Sequence, residues 1–148
     1  MSNLPVIPYS TTIHVRDTCL CLHAQRAARA LARRFDAALK PSGLTNQQFS
    51  LMMALNRPEP PPMGPVARLL AMDRTTLTAA LKPLSTRGWV SVEPDPKDRR
   101  GRLLRLTSEG AEALSSAVPI WKQVHRDIEA GLTSDPQVLR QGLLEVSV

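Results

Sequence analysis

Two short runs hold most of the residues in this chain that could do recognition chemistry. One is Asp95-Pro96-Lys97-Asp98-Arg99-Arg100-Gly101-Arg102, and the other, shortly before it, is Asp73-Arg74-Thr75-Thr76-Leu77-Thr78. Guanidinium groups pair bidentately with phosphate or with guanine O6 and N7, and threonine bonds a phosphate or touches a thymine methyl. From Arg68 to Arg105, nine Lys and Arg stand against four Asp and Glu, which is +5 of the formal +6 carried by all 148 residues. Positive charge gathered into roughly a quarter of a chain points to a polyanionic partner. A basic surface that serves solubility alone is the plainer alternative.

The elements needed to position these residues can be read locally. The basic run lies between Trp89-Val90-Ser91-Val92 and Leu103-Leu104-Arg105-Leu106, two strand-like stretches whose connection is rich in Pro, Asp and Gly. This reads as a β-hairpin with a longer loop. Asp73 suits an N-cap and Gly88 the left-handed residue closing a helix, so a helix over about 74–87 leads directly into the hairpin. A helix followed by a cationic hairpin is the layout of a winged helix-turn-helix, with the helix in one groove and the wing in the next. Arg74, Thr75, Thr76 and Thr78 then occupy the first turns, which reach base edges and phosphates. Lys82 follows, but Pro83 beside it removes a hydrogen bond to residue 79 and is expected to kink or shorten the helix. In the wing, Arg100 is the candidate for the minor groove, Arg99 and Arg102 for phosphates, and Asp98 for orienting an arginine.

Around this centre, residues 1–12 read as an irregular arm containing Pro5 and Pro8. A first long helix within 13–40 carries Cys21, Ala24, Ala28, Leu31, Phe35 and Ala38 at steps of three and four, with Arg26, Arg29 and Arg33 on a polar strip. Residues 44–107 form the winged helix-turn-helix domain. Thr45 and Gln48 make a capping box for a helix ending near Leu55. The prolines within 56–62 exclude helix there, and Gly64-Pro65 opens a short helix to about Leu70. Residues 108–148 supply two further helices, one capped by Thr107 or Ser108 with a bend at Pro119, the other starting at Ser134-Asp135-Pro136. The fold class is mainly α with a small β-hairpin wing: a winged helix-turn-helix plus helical dimerisation arms.

Composition narrows the function. Hydrophobic residues make up 43% but aromatics only 3%, so the core must be built from Leu, Ala, Val and Met. No run approaches the ~20 apolar residues of a membrane span, and no secretory signal opens the chain. Two cysteines are too few for a disulfide framework, and a cytoplasmic location is expected. There is no glycine-rich phosphate loop, no metal-ligand spacing and no Ser/His/Asp arrangement, so neither an enzyme nor a cofactor is expected. A winged helix used only for protein contacts is the other reading, and the basic wing argues against it.

The order and spacing of four segments resemble the MarR (multiple-antibiotic-resistance regulator) family of transcription factors. They are Gly43-Leu44-Thr45-x-x-Gln48-Phe49, Asp73 to Thr78, Arg87-Gly88-Trp89-Val90, and Asp95 to Thr107 followed by x-x-Gly110. The resemblance covers about residues 13–145, and Pro83 departs from the pattern. It implies a homodimer intertwined through the first and the last two helices, binding a pseudo-palindromic operator in double-stranded DNA. It also implies a repressor, released by a small-molecule or oxidant signal. Trp121, His125 and Met52 would line the family's effector pocket, unless they simply pack the core. Cys21 aligns with the reactive cysteine of the family's organic-hydroperoxide repressors, with Asn46 and Phe49 where tyrosines would stand. Buried packing, a redox switch and a metal site remain open for Cys21, and Cys19 should point to the opposite side of the helix.

Overall fold

The computed structural model describes residues 4–147. Residues 1–3 of the expected arm, and Val148 at the end of the expected C-terminal segment, lie outside them. The chain divides into two compact units, one up to Arg34 and one from Phe35 onward.

The first unit holds α1 (Tyr9–Thr18) and most of α2 (Leu20–Leu39). The expected single helix is therefore two, and the expected irregular arm is already helical from Tyr9. β-Branched residues crowd this stretch, at Thr11, Thr12, Ile13, Val15 and Thr18, and they hold a helix weakly. The Thr18 hydroxyl donates to the His14 carbonyl at 2.6 Å, and Cys19 turns extended, with ψ 110°. Cys19 then caps the next helix, its Sγ accepting the Leu22 N–H at 3.4 Å. No residue of α1 is buried, and Val15, Leu20 and Leu31 are exposed. The apolar stripe expected to be covered is bare at Cys21, Ala24, Ala28 and Leu31.

The second unit has a core of its own, built on Leu39, Leu51, Met52, Val66, Leu77, Leu84 and Leu104. After a short 3-10 turn at Lys40–Ser42, Gly43 takes φ 74°. In α3 (Asn46–Leu55) the capping box forms as expected: Thr45 Oγ1 accepts the Gln48 N–H and Gln48 Oε1 accepts the Thr45 N–H. Asp36 at the end of α2 accepts both the backbone and side-chain N–H of Asn46, tying α3 in place. The next helix, α4 (Met63–Leu69), begins two residues before the expected Pro65, which then stands in the first turn where its missing N–H costs nothing.

Next, α5 (Arg74–Thr86) buries Leu77, Leu81 and Leu84. Pro83 does not shorten it, because the helix runs on for another turn. Gly88, at φ 77°, closes it, with the Trp89 N–H returning to the Leu84 carbonyl. Antiparallel β1 (Val90–Asp95) and β2 (Asp98–Leu106) form the hairpin, and Leu104 N–H also bonds the Pro61 carbonyl. Thr107 caps α6 (Ser108–Ala130) through the Gly110 N–H, and its hydroxyl donates to the Gly88 carbonyl. A side chain at Gly110 would collide with the Trp89 carbonyl oxygen, so only glycine lets α6 start this close to the wing. This helix is continuous through Pro119. Asp135 caps α7 (Pro136–Val146), which buries nothing.

Candidate nucleic-acid interface

Helix α5 offers an amphipathic surface whose inner residues are core and whose outer residues are the predicted readers. Arg74, Thr75, Thr76, Thr78 and Lys82 are all exposed. The Asp73 carboxylate accepts the Thr76 N–H at 2.7 Å, and this bond holds its pKa below the ordinary value of 3.8. The Thr78 hydroxyl donates to the Arg74 carbonyl at 2.8 Å. Its proton is thus committed to the helix, leaving a methyl and an acceptor facing outward.

The wing ladder is regular from Val90–Leu106 to Pro94–Arg102 and then shifts register, setting Asp95 opposite Asp98. Arg99, Arg100 and Gly101 fall outside the paired positions. Two successive Asx turns shape this tip: Asp95 Oδ1 accepts the Lys97 N–H at 2.9 Å and Asp98 Oδ1 the Arg100 N–H at 3.0 Å. Asp98 therefore orients the backbone of Arg100, where the sequence suggested a bond to a guanidinium. Arg102 Nη1 donates to the neighbouring Gly101 carbonyl.

Two other arginines of the basic segment have structural duties. The Arg87 guanidinium lies 3.5 Å from the Trp89 ring centroid and donates to the Gly43 carbonyl at 2.8 Å. Arg105 pairs with Glu93 at 3.2 Å. Arg99 and Arg100, by contrast, are exposed and have no side-chain partner among the described residues.

The other predicted sites are placed differently. Met52 is fully buried core, and Met53, about 100° further round the helix, is 40% exposed. A cleft beside it is walled by Phe49, Met53, Leu70, Val118, Trp121 and Lys122. Sequence reading missed Met53 and Lys122 because a one-residue step decides which side chain faces the opening. Trp121 stacks on Phe49, with centroids 6.0 Å apart, and on His125 at 4.7 Å, while His125 pairs with Glu129 at 3.5 Å. Cys21 is exposed, its Sγ accepting from Gln25 Nε2 at 3.1 Å, and Cys19 is half-buried at the break between α1 and α2. Both thiols are free. Among the described residues, no group of three or more His, Cys, Asp or Glu is arranged to hold a metal ion.

Residues 42–101 match the MarR family. The transcriptional regulator HosA of Escherichia coli O111:H- is 35% identical over 98 residues, covering 65% of this chain and 71% of HosA. The chain belongs to the MarR family. Members with which it aligns are transcription regulators and not enzymes. One solved MarR-fold neighbour, the Mycobacterium tuberculosis transcriptional regulator MosR in complex with DNA, superposes with a TM-score of 0.81. Its identity is 35%, over 88% of this chain and 94% of MosR. Similarity to the transcriptional activatory protein BadR of Rhodopseudomonas palustris is also 35% identity, over 57% of this chain. The chain spans about half the length of that relative, 50%. No helix among the described residues is long and apolar enough to cross a membrane.

Proposed function

We propose that this MarR-family chain acts as a homodimer that binds a pseudo-palindromic operator in double-stranded DNA and is released by a small-molecule or oxidant signal. The observation that carries the DNA reading is the exposed surface of α5 at Arg74, Thr75, Thr76 and Thr78, followed in the same unit by a wing whose Arg99 and Arg100 lack side-chain partners among the described residues. On this reading Thr75, Thr76, Thr78 and Lys82 enter the major groove with Arg74 at its mouth. Arg100 reaches the minor groove, Arg99 and Arg102 meet phosphates, and Asp98 holds the turn that presents Arg100. MosR, seen with DNA, supports the comparison. Such a protein works in the cytoplasm, where the chromosome is.

Bare apolar side chains support a second copy as the partner. Leu31 of α2 is 42% exposed, and on α7 Val138 and Leu144 are 67% and 64% exposed. The segments 13–40 and 108–148 are thus the dimerisation arms and 44–107 the reading domain. The cleft at Met53, Trp121 and Lys122 is the candidate effector site, and exposed Cys21 the candidate oxidant site, with Cys19 at the helix break beside it. Selection of bound duplexes from a random pool, with sedimentation of the free protein, tests the proposal. Half-sites about 34–36 Å apart and a dimer are expected. A monomer that enriches no sequence would sink it.

A further inference from the structure

The turn between α4 and α5 brings together two arginines from different helices. Ala71 takes φ 53°, in the left-handed region. The Ala71 and Met72 N–H groups return to the carbonyls of Arg68 and Ala67, at 3.2 and 2.9 Å. The turn is thereby closed onto the end of α4 just before α5 begins. Arg68, in the last turn of α4, and Arg74, first in α5, both converge on Gly64. A Cβ at that glycine would lie 3.5 Å from Arg68 Nη1 and 3.9 Å from Arg74 Nη2. These two nitrogens are no farther apart than those distances laid end to end.

Neither guanidinium has a carboxylate partner among the described residues. Asp73, the acid nearest in sequence, is committed to the Thr76 N–H. Two like charges held this close repel each other unless an anion lies between them. We propose that Arg68 and Arg74 clasp one backbone phosphate of the DNA. Arg68 is then a further DNA-binding residue, and Arg74 is a phosphate ligand and not a reader of guanine. Charge-assisted bonds of about 2.8 Å to either side of one phosphate span such a gap. A phosphate held jointly by both helices sets the depth at which Thr75, Thr76 and Thr78 meet the bases, since backbone contacts fix register.

This inference rests on the DNA-binding reading, and the test separates the two. Parent, Arg68→Ala, Arg68→Lys, Arg74→Ala and the double alanine variant are titrated across salt. One probe is a mixed-sequence duplex and the other a duplex selected on the parent. Helical circular dichroism confirms that each variant is folded. Each single alanine change is expected to weaken binding to both duplexes at least about tenfold. Each single change should flatten the log–log salt slope by no more than about 0.9, the share of one phosphate. The double variant should flatten it by about 0.9 in total, because only one phosphate is shared, and Arg68→Lys should keep the parent slope. Parental affinity in Arg68→Ala, a total slope loss of about 1.8 in the double variant, or base preference altered in Arg74→Ala but not in Arg68→Ala would each overturn the clasp. A parent that binds neither duplex defeats the DNA reading and this inference with it.

Discussion

The Thr78 side chain bonds back to the Arg74 carbonyl one turn earlier, so its hydroxyl proton points along α5 and its methyl is the part offered to a partner. Thr78→Val should therefore keep the parent's base preference, and Thr78→Ser should lose it at one position per half-site. Burying a methyl of this kind is worth about 0.8 kcal/mol. Competitive binding to operator variants is the measurement, and a Val variant that behaves like Ser would show that the hydroxyl does the reading.

Arg87 and Arg100 are both exposed arginines of one basic segment, yet they should fail in different ways. Arg87→Ala removes the stacking on Trp89 and the bond to Gly43, and should lower stability to urea by about 1–2 kcal/mol while leaving the salt slope of DNA binding alone. Arg100→Ala should leave urea stability unchanged. It should weaken binding most where the flanking sequence is A·T-rich, since a narrow minor groove attracts arginine. Identical profiles for the two variants would refute this division.

Asp73 gives the reading helix a pH dependence. Its folded pKa lies below the ordinary 3.8, chiefly through the bond from the Thr76 N–H. The cap therefore stabilises the fold fully above that ordinary value and progressively less as pH falls through the lowered one. In Asp73→Asn the cap survives without a titrating group. The stability difference between parent and this variant should be flat at neutral pH and shrink in the parent's disfavour below about pH 4. A difference that stays constant down to pH 2 would contradict the assignment.

Cys21 is the more exposed of the two thiols in the single chain, so an organic hydroperoxide can convert it to a sulfenic acid, releasing the alcohol. DNA release by hydroperoxide is expected in the parent and in Cys19→Ser, and should be absent in Cys21→Ser. Release that persists in Cys21→Ser would transfer the signal to the cleft at Trp121 and Lys122.

What the sequence revealed was local chemistry. Thr45 with Gln48, Asp73 with Thr76, Gly88 and Thr107 each make bonds within a few residues, and all are legible from residue type alone. The helix-plus-wing order followed from them. The break at Cys19 was not legible, because it sets weak propensities against a run of apolar spacing that looks continuous. Nor was the face on which Met52 and Met53 fall, since a rotation of α3 by one residue exchanges them. Arg68 was visible as charge, but its approach to Arg74 depends on a left-handed alanine that no sequence rule would choose.

The first unit buries none of α1 and leaves the stripe of α2 bare, so its apolar side chains gain most when another molecule covers them. If that molecule is a second copy, these helices become fully stable only as protein accumulates, and assembly and folding respond to the same concentration. At low abundance the amount of DNA-competent species would then rise with the square of the number of chains. Halving the synthesis of such a regulator would then cut its DNA-competent form about fourfold, with no ligand at all.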